Sequence, residues 1–124
     1  MSPRRFVFDG YALLVLVEDE PGAREVAALV ADEQAELYLN VVNLGEVYYI
    51  IARRQGEAAA EEVVRAVMEE GSFRLVEATW PRVKEAARIK AKGGLSYADA
   101  FVLALAVEMG APVVTGDPEI RAAA

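Results

Sequence analysis

Four acidic residues stand at the borders or edges of predicted helices and strands, and they carry the chemistry that this sequence offers. They are Asp9, Glu46, Asp99 and Asp117. Carboxylates are the ligands that Mg²⁺ and Mn²⁺ prefer in proteins. Two such ions about 4 Å apart can activate a water molecule and stabilise the leaving oxygen of a phosphodiester. If the four acids meet, the sequence therefore indicates metal-assisted hydrolysis.

The composition narrows the chemistry further, because the chain contains neither histidine nor cysteine. A Ser-His-Asp triad, an imidazole base, a thiol nucleophile and a zinc–thiolate site are all excluded. Carboxylates are then the natural candidates for both acid–base and metal chemistry.

Each acid also has an ordinary structural explanation. Asp9 followed by Gly10 fits a plain turn, and Asp117 followed by Pro118 fits a helix N-cap. Ser96 and Asp99 have the spacing of a helix-capping pair. Glu46 is the hardest to explain in this way, because it is the only charged residue between Leu37 and Ala52. A lone carboxylate in such surroundings is costly unless it is paired, hydrogen-bonded or bound to a metal.

The net charge of −7 argues against binding nucleic acid through a broad basic surface. If the four acids hold metal ions, the rest of the chain carries only −3 (−7 plus 4). Contacts to RNA are then expected to rely on bound cations and on local arginines such as Arg53 and Arg54.

The elements that must position these acids alternate between strands and helices. Strands that are apolar on both faces, separated by helices, predict βαβ units around a parallel sheet. We therefore expect one three-layer α/β/α domain over residues 1–124, with a central sheet of four or five strands whose carboxyl ends carry the site. Strands are predicted at 5–8, 37–42, 72–78 and 111–117, and helices at 11–18, 22–33, 43–54, 57–70, 80–92 and 97–109, with a last short helix after Asp117.

Three segments resemble the motif blocks of the PIN-domain family, most closely the VapC-type toxins of prokaryotic toxin–antitoxin pairs. They are FVFDGYALL, VNLGEVYYIIAR and LSYADAFVLALAVEMGAPVVTGD. The last block is the most specific, because S-x-x-D-A, an alanine-rich helix, a glycine turn and T-x-D follow in one order at one spacing.

The resemblance implies that Asp9, Glu46, Asp99 and Asp117 are catalytic, metal-binding acids. It also implies that the hydroxyl of Thr115 orients a carboxylate and that Ser96 caps a helix near the site. It also implies an endoribonuclease that requires Mg²⁺ or Mn²⁺, is often dimeric and is often silenced by an antitoxin. The apolar run from Tyr48 to Ile51 supports such partners, since a small domain cannot easily bury all of it.

The chain departs from the family pattern in two places. Gly10 follows the first acid, where the family often has Thr or Ser, so a supporting hydroxyl is missing there. The chain also ends at Ala124, where the family usually continues into an edge strand. This second departure leaves the fifth strand and the geometry of a dimer open.

Several alternatives remain at the level of the sequence. A catalytically inactive PIN-like domain would act through protein contacts, and a structure-specific DNA nuclease would use the same acids. A phosphoacceptor receiver domain fits less well, because it generally needs paired acids after the first strand, and Phe8 precedes Asp9 here. We expect a cytoplasmic protein, since no membrane span and no signal peptide are evident.

Overall fold

The computed structural model describes residues 4–115, in which four strands and six helices alternate in the predicted manner. Asp117 and the helix expected after it lie outside the described residues. The strands are β1 (Arg4–Phe8), β2 (Ala35–Asn40), β3 (Phe73–Val76) and β4 (Val113–Val114); the helices are α1 (Gly10–Val17), α2 (Ala23–Ala31), α3 (Val41–Gln55), α4 (Glu57–Glu70), α5 (Trp80–Ala91) and α6 (Tyr97–Met109).

The four strands form one parallel sheet in the order β3-β2-β1-β4. Phe8 is in register with Leu39 on one side and with Val114 on the other, and Leu39 is in register with Leu75. Their carboxyl ends therefore meet at one edge of the sheet, which we call the carboxyl edge. The predicted parallel α/β fold is confirmed.

Helices cover both faces of this sheet. On one face, Phe8, Leu39 and Phe73 pack with buried residues of α1, α3 and α4. On the other, Val7 and Tyr38 pack with Val102 and Leu105 of α6. Helix α5 packs against α6, where Ala86 of α5 forms a buried cluster with Ala100 and Phe101 of α6. The result is the expected three-layer arrangement.

The boundary between β2 and α3 was predicted two residues too late. The predicted strand included Val41 and Val42 because both are β-branched. In the structure, α3 already begins at Val41. The side chain of Asn40 accepts a hydrogen bond of 2.8 Å from the backbone N–H of Val42, and this cap starts the helix. Strands β3 and β4 are also shorter than predicted.

Helix α4 covers much of the apolar surface of α3. Ile51 is buried, and the hydroxyl of Tyr48 donates a hydrogen bond of 2.9 Å to Glu61 of α4. This hydrogen bond raises the pKa of Tyr48. Tyr49 remains half exposed, so the surface left for a partner on this helix is narrower than the sequence predicted.

None of the helices within residues 4–115 is long and apolar enough to cross a membrane.

Candidate metal centre at the carboxyl edge

The buried polar side chains of residues 4–115 all lie close to the carboxyl edge. They are Asp9, Asn40, Asn43 and Asp99. Burying a polar or charged group is unfavourable unless it forms hydrogen bonds or ion pairs. A concentration of such groups at one edge of the sheet therefore indicates a candidate functional site. Two of the four are acids that the sequence predicted, and the two asparagines were missed.

Asp9 directly follows β1 and is only 2% exposed. Its Oδ1 accepts a hydrogen bond of 2.7 Å from the backbone N–H of Ala12 and so caps α1. Its Oδ2 accepts a hydrogen bond from the hydroxyl of Thr115, which directly follows β4. Two bonds from two different elements therefore fix the orientation of this carboxylate, and Thr115 lies where the predicted orienting hydroxyl should be.

Glu46 lies one turn into α3 and is partly buried. Its carboxylate packs against Gly10, because a Cβ added to Gly10 would stand 2.6 Å from Glu46 Oε1. The same Cβ would stand 3.2 Å from the backbone oxygen of Asn43. Because glycine has no Cβ, position 10 leaves room for the Glu46 carboxylate next to the backbone that follows Asp9. This close approach offers a reason for a glycine where the family often has Thr or Ser.

Asp99 lies in the first turn of α6 and is 6% exposed. Ser96 caps this helix, as predicted, by accepting a hydrogen bond of 3.1 Å from the backbone N–H of Asp99. The cap uses the backbone of Asp99, so it does not by itself explain why a carboxylate occupies this buried position.

Asn43 ties α3 to the start of α6. Its Nδ2 donates a hydrogen bond of 3.1 Å to the backbone oxygen of Ala98, the residue before Asp99. Its Oδ1 is buried and has no hydrogen-bond partner among the described residues. Such an atom calls for a water molecule or an ion nearby. The signal was present in the sequence, since the only two asparagines of the chain, Asn40 and Asn43, lie in an otherwise apolar run.

The candidate donors suit a hard divalent cation, because they are carboxylate oxygens and the Asn43 amide oxygen, which is buried and has no hydrogen-bond partner among residues 4–115. Its geometry is incomplete within residues 4–115, where no three acidic side chains form a group that could hold an ion. Asp117, the fourth predicted acid, lies outside the described residues. The Glu46 carboxylate packs against Gly10, the residue after Asp9, and Asn43 of α3 is hydrogen-bonded to Ala98, the residue before Asp99.

A large cavity in the described part of the chain reaches the carboxyl edge at Asn40. It measures about 650 Å³, lies between α5 and α6, and is lined by residues that include Ile89, Phe101 and Leu105. Asp9, Glu46 and Asp99 do not line it. The cavity therefore borders the candidate site at Asn40 without containing its described acids.

Comparison with known proteins places these features in a family. A family model described as PIN domain matches residues 6–124. Comparison with curated protein sequences gave no match.

Solved structures share the fold at low sequence identity. The VapC20 toxin of Mycobacterium tuberculosis, described as cleaving the sarcin–ricin loop, is 20% identical with a TM-score of 0.80, over 95% of this chain and 94% of that one. A DNA-bound VapBC complex from Salmonella typhimurium is 15% identical with a TM-score of 0.71, over 95% and 91%. A toxin–antitoxin complex from Klebsiella pneumoniae is 19% identical with a TM-score of 0.64, over 91% and 92%.

Proposed function

The chain belongs to the PIN domain family, and on that premise we propose that it is a divalent-metal-dependent endoribonuclease, the toxin of a toxin–antitoxin pair. The observation that carries the proposal is the approach of the Glu46 carboxylate to Gly10, directly beside the buried and doubly hydrogen-bonded Asp9. A partly buried carboxylate packed against the residue that follows a second, buried carboxylate is costly for a fold that gains nothing from it.

In this proposal Asp9, Glu46, Asp99 and Asp117 hold Mg²⁺ or Mn²⁺. These residues would hold the ion where it could activate a water molecule and stabilise the charge that develops on the phosphodiester oxygens.

The residues of the chain have distinct tasks around that centre. Thr115 and the N–H of Ala12 hold the Asp9 carboxylate in one orientation, so little reorganisation is needed when substrate arrives. Asn43 keeps the first turn of α6, and with it Asp99, at a fixed distance from α3. Because histidine and cysteine are absent, carboxylates and water are the natural carriers of protons in this reaction.

The proposed partners are an antitoxin protein and a second copy of the chain. Support for the antitoxin comes from relatives of the same fold that were solved as toxin–antitoxin complexes. A short antitoxin-like gene next to the native gene, and co-purification of its product, would test this part.

Cleavage of a mixed RNA pool tests the activity. We expect cutting with Mg²⁺ or Mn²⁺, none with EDTA, and a loss greater than about 100-fold in Asp9→Asn and Asp99→Asn, since even supporting residues of metal sites cost up to that factor. Single-stranded DNA of matching sequence separates a ribonuclease from a DNA nuclease.

Asp19→Asn is the matched control for these amide variants. Asp19 is exposed and has a φ of 50°, a left-handed conformation that asparagine adopts as readily as aspartate. It should retain full activity. Cutting in EDTA, or full activity in both site variants, would exclude the mechanism, and no cutting under any condition would favour an inactive interaction domain.

A further inference from the structure

The face of α3 that carries Glu46 continues into an aromatic–cationic pair. Tyr49 is 48% exposed, and the guanidinium carbon of Arg53 lies 5.2 Å from the centre of its ring. At 100° per residue, Tyr49 and Arg53 lie about 60° and about 20° from Glu46 around the helix axis. The pair is therefore on the same side of α3 as the carboxylate, one to two turns further along.

The two neighbouring arginines of this helix are in different situations. Arg54 forms an ion pair with Glu18, which neutralises it locally. Arg53 forms no ion pair with a carboxylate in residues 4–115. Of the two arginines expected to contact RNA, Arg53 is therefore the one whose charge is not paired with a carboxylate in residues 4–115. Its guanidinium lies over the exposed ring of Tyr49.

Two more exposed tyrosines lie close to the other acids in the sequence. Tyr11 follows Gly10 in the first turn of α1, two residues after Asp9, and Tyr97 opens α6, two residues before Asp99. The Tyr97 ring packs against Phe101 at 5.1 Å between centres, which restricts its orientation. Residues two positions apart in a helix point to different sides, so Tyr49, three residues after Glu46, is the exposed tyrosine that shares a helix face with an acid of the candidate site.

Charge decides what such a surface can bind. A chain with a net charge of −7 gains little from general attraction to phosphates, so its affinity for a nucleic acid must come from another source. Aromatic rings that stack on unpaired bases contribute about 1–3 kcal/mol per base and need no basic surface. An arginine over the ring adds a planar cation that stacks and contacts phosphate.

We propose that Tyr49 and Arg53 form a stacking platform that binds an unpaired base of a single-stranded RNA on the face of α3 that carries Glu46. This rests on the proposed ribonuclease function and names the residues that hold the strand beside its site. A protein interface is less favoured, because the aliphatic residues of α3 are buried or partly buried. The exposed residues of α3 after Glu46 are Tyr49, Arg53, Arg54 and Gln55, which are aromatic, cationic or polar.

Binding of a fluorescent oligoadenylate of about ten nucleotides, within the usual site sizes for such surfaces, tests the platform. The measurement uses fluorescence anisotropy in Mg²⁺ and an Asp99→Asn background that does not cut. Tyr49→Ala should weaken binding about 5- to 150-fold, the equivalent of one stacked base. Tyr49→Phe should restore it, because the ring and not the hydroxyl stacks. Arg53→Ala should also lower the dependence of log Kd on log salt by about 0.7.

An abasic version of the same strand separates stacking from a structural effect. Tyr49→Ala should not weaken its binding, because no base remains to stack. Val107→Ala is the matched control: Val107 is highly exposed, and it lies ten residues after Tyr97, about 15 Å along α6. It should bind both strands as the parent does. In the fully active chain, Tyr49→Ala should raise KM for single-stranded RNA more than it lowers kcat.

The other outcomes overturn the platform. If the chain cuts and binds RNA but Tyr49→Ala and Arg53→Ala bind it unchanged, the platform is wrong while the ribonuclease proposal stands. If Tyr49→Ala leaves RNA affinity intact and converts a dimer into a monomer in sedimentation, the surface is a protein interface. If the unmodified chain neither binds nor cuts any RNA, both proposals fail.

Discussion

Gly10 and Glu46 are in contact across two helices, with no space left for a Cβ between the Gly10 backbone and the Glu46 carboxylate. An added Cβ would stand 2.6 Å from Glu46 Oε1, closer than such atoms approach in folded proteins. Because the nearest atom is the tip of a flexible side chain, the Glu46 carboxylate is expected to move most, while the Asn43 backbone oxygen at 3.2 Å has to shift by a few tenths of an ångström. A side chain at position 10 should therefore affect activity more than stability.

Gly10→Ser should consequently lower activity although it supplies the hydroxyl that the family often has at this position. We expect a loss of about 10- to 100-fold, as for other disturbances of a metal site from outside its ligands, with little change in melting temperature. Gly45→Ala is the control, since a Cβ there has no neighbour within 4 Å. It should stabilise α3 by about 0.5–1 kcal/mol and leave activity intact. Equal activity in Gly10→Ser and the unmodified chain would contradict this account of the contact.

Magnesium should stabilise the chain only while its carboxylates are intact. A ligand that binds the folded state alone stabilises it by about 2.7 kcal/mol at 100 times its dissociation constant. Thermal melts at neutral pH should therefore show an upward shift with Mg²⁺ for the unmodified chain and for Asp19→Asn. Glu46→Gln should show a much smaller shift, and in EDTA it should melt at or above the unmodified chain because one repulsive charge is gone. Identical magnesium shifts in all three proteins would show that Glu46 is not part of a metal site.

Thr115 should matter through its hydroxyl. Thr115→Val keeps the shape of the side chain and removes the hydrogen bond to Asp9 Oδ2. We expect activity to fall about 10- to 100-fold and the magnesium concentration for half-maximal activity to rise, since residues that orient metal ligands have effects of this size. Thr115→Ser should recover most of both. Loss of activity in the serine variant as well would mean that the methyl group, and so packing, is what counts.

Asn43 should contribute more to the unfolding free energy than Tyr48, although each side chain donates one described hydrogen bond. Asn43→Ala removes a buried link between α3 and α6, for which about 1–3 kcal/mol of unfolding free energy is expected. Tyr48→Phe removes the bond to Glu61 near the surface, and this should change the unfolding free energy by less than about 0.5 kcal/mol. Denaturation in urea gives both values. A variant of Asn43 as stable as that of Tyr48 would refute a structural role for the link.

The sequence predicted those features that depend on local pattern. The S-x-x-D spacing identified Ser96 as the cap of α6, and apolar strands between helices predicted the parallel sheet. Local pattern misplaced the start of α3, because two valines extended the strand beyond the cap at Asn40. The approach of Glu46 to Gly10 could not be predicted, since it depends on the packing of α1 against α3 and not on either helix alone.

The hydrogen bond between Thr115 and Asp9 joins residues that are 106 positions apart. Ribosomes deliver the amino-terminal part of a chain first, and β4 must leave the exit tunnel before it can pair with β1. The Asp9 carboxylate therefore receives its second orienting bond only after β1, β2 and β3 have had time to associate. A nuclease built in this order would lack that bond for as long as Thr115 is inside the ribosome.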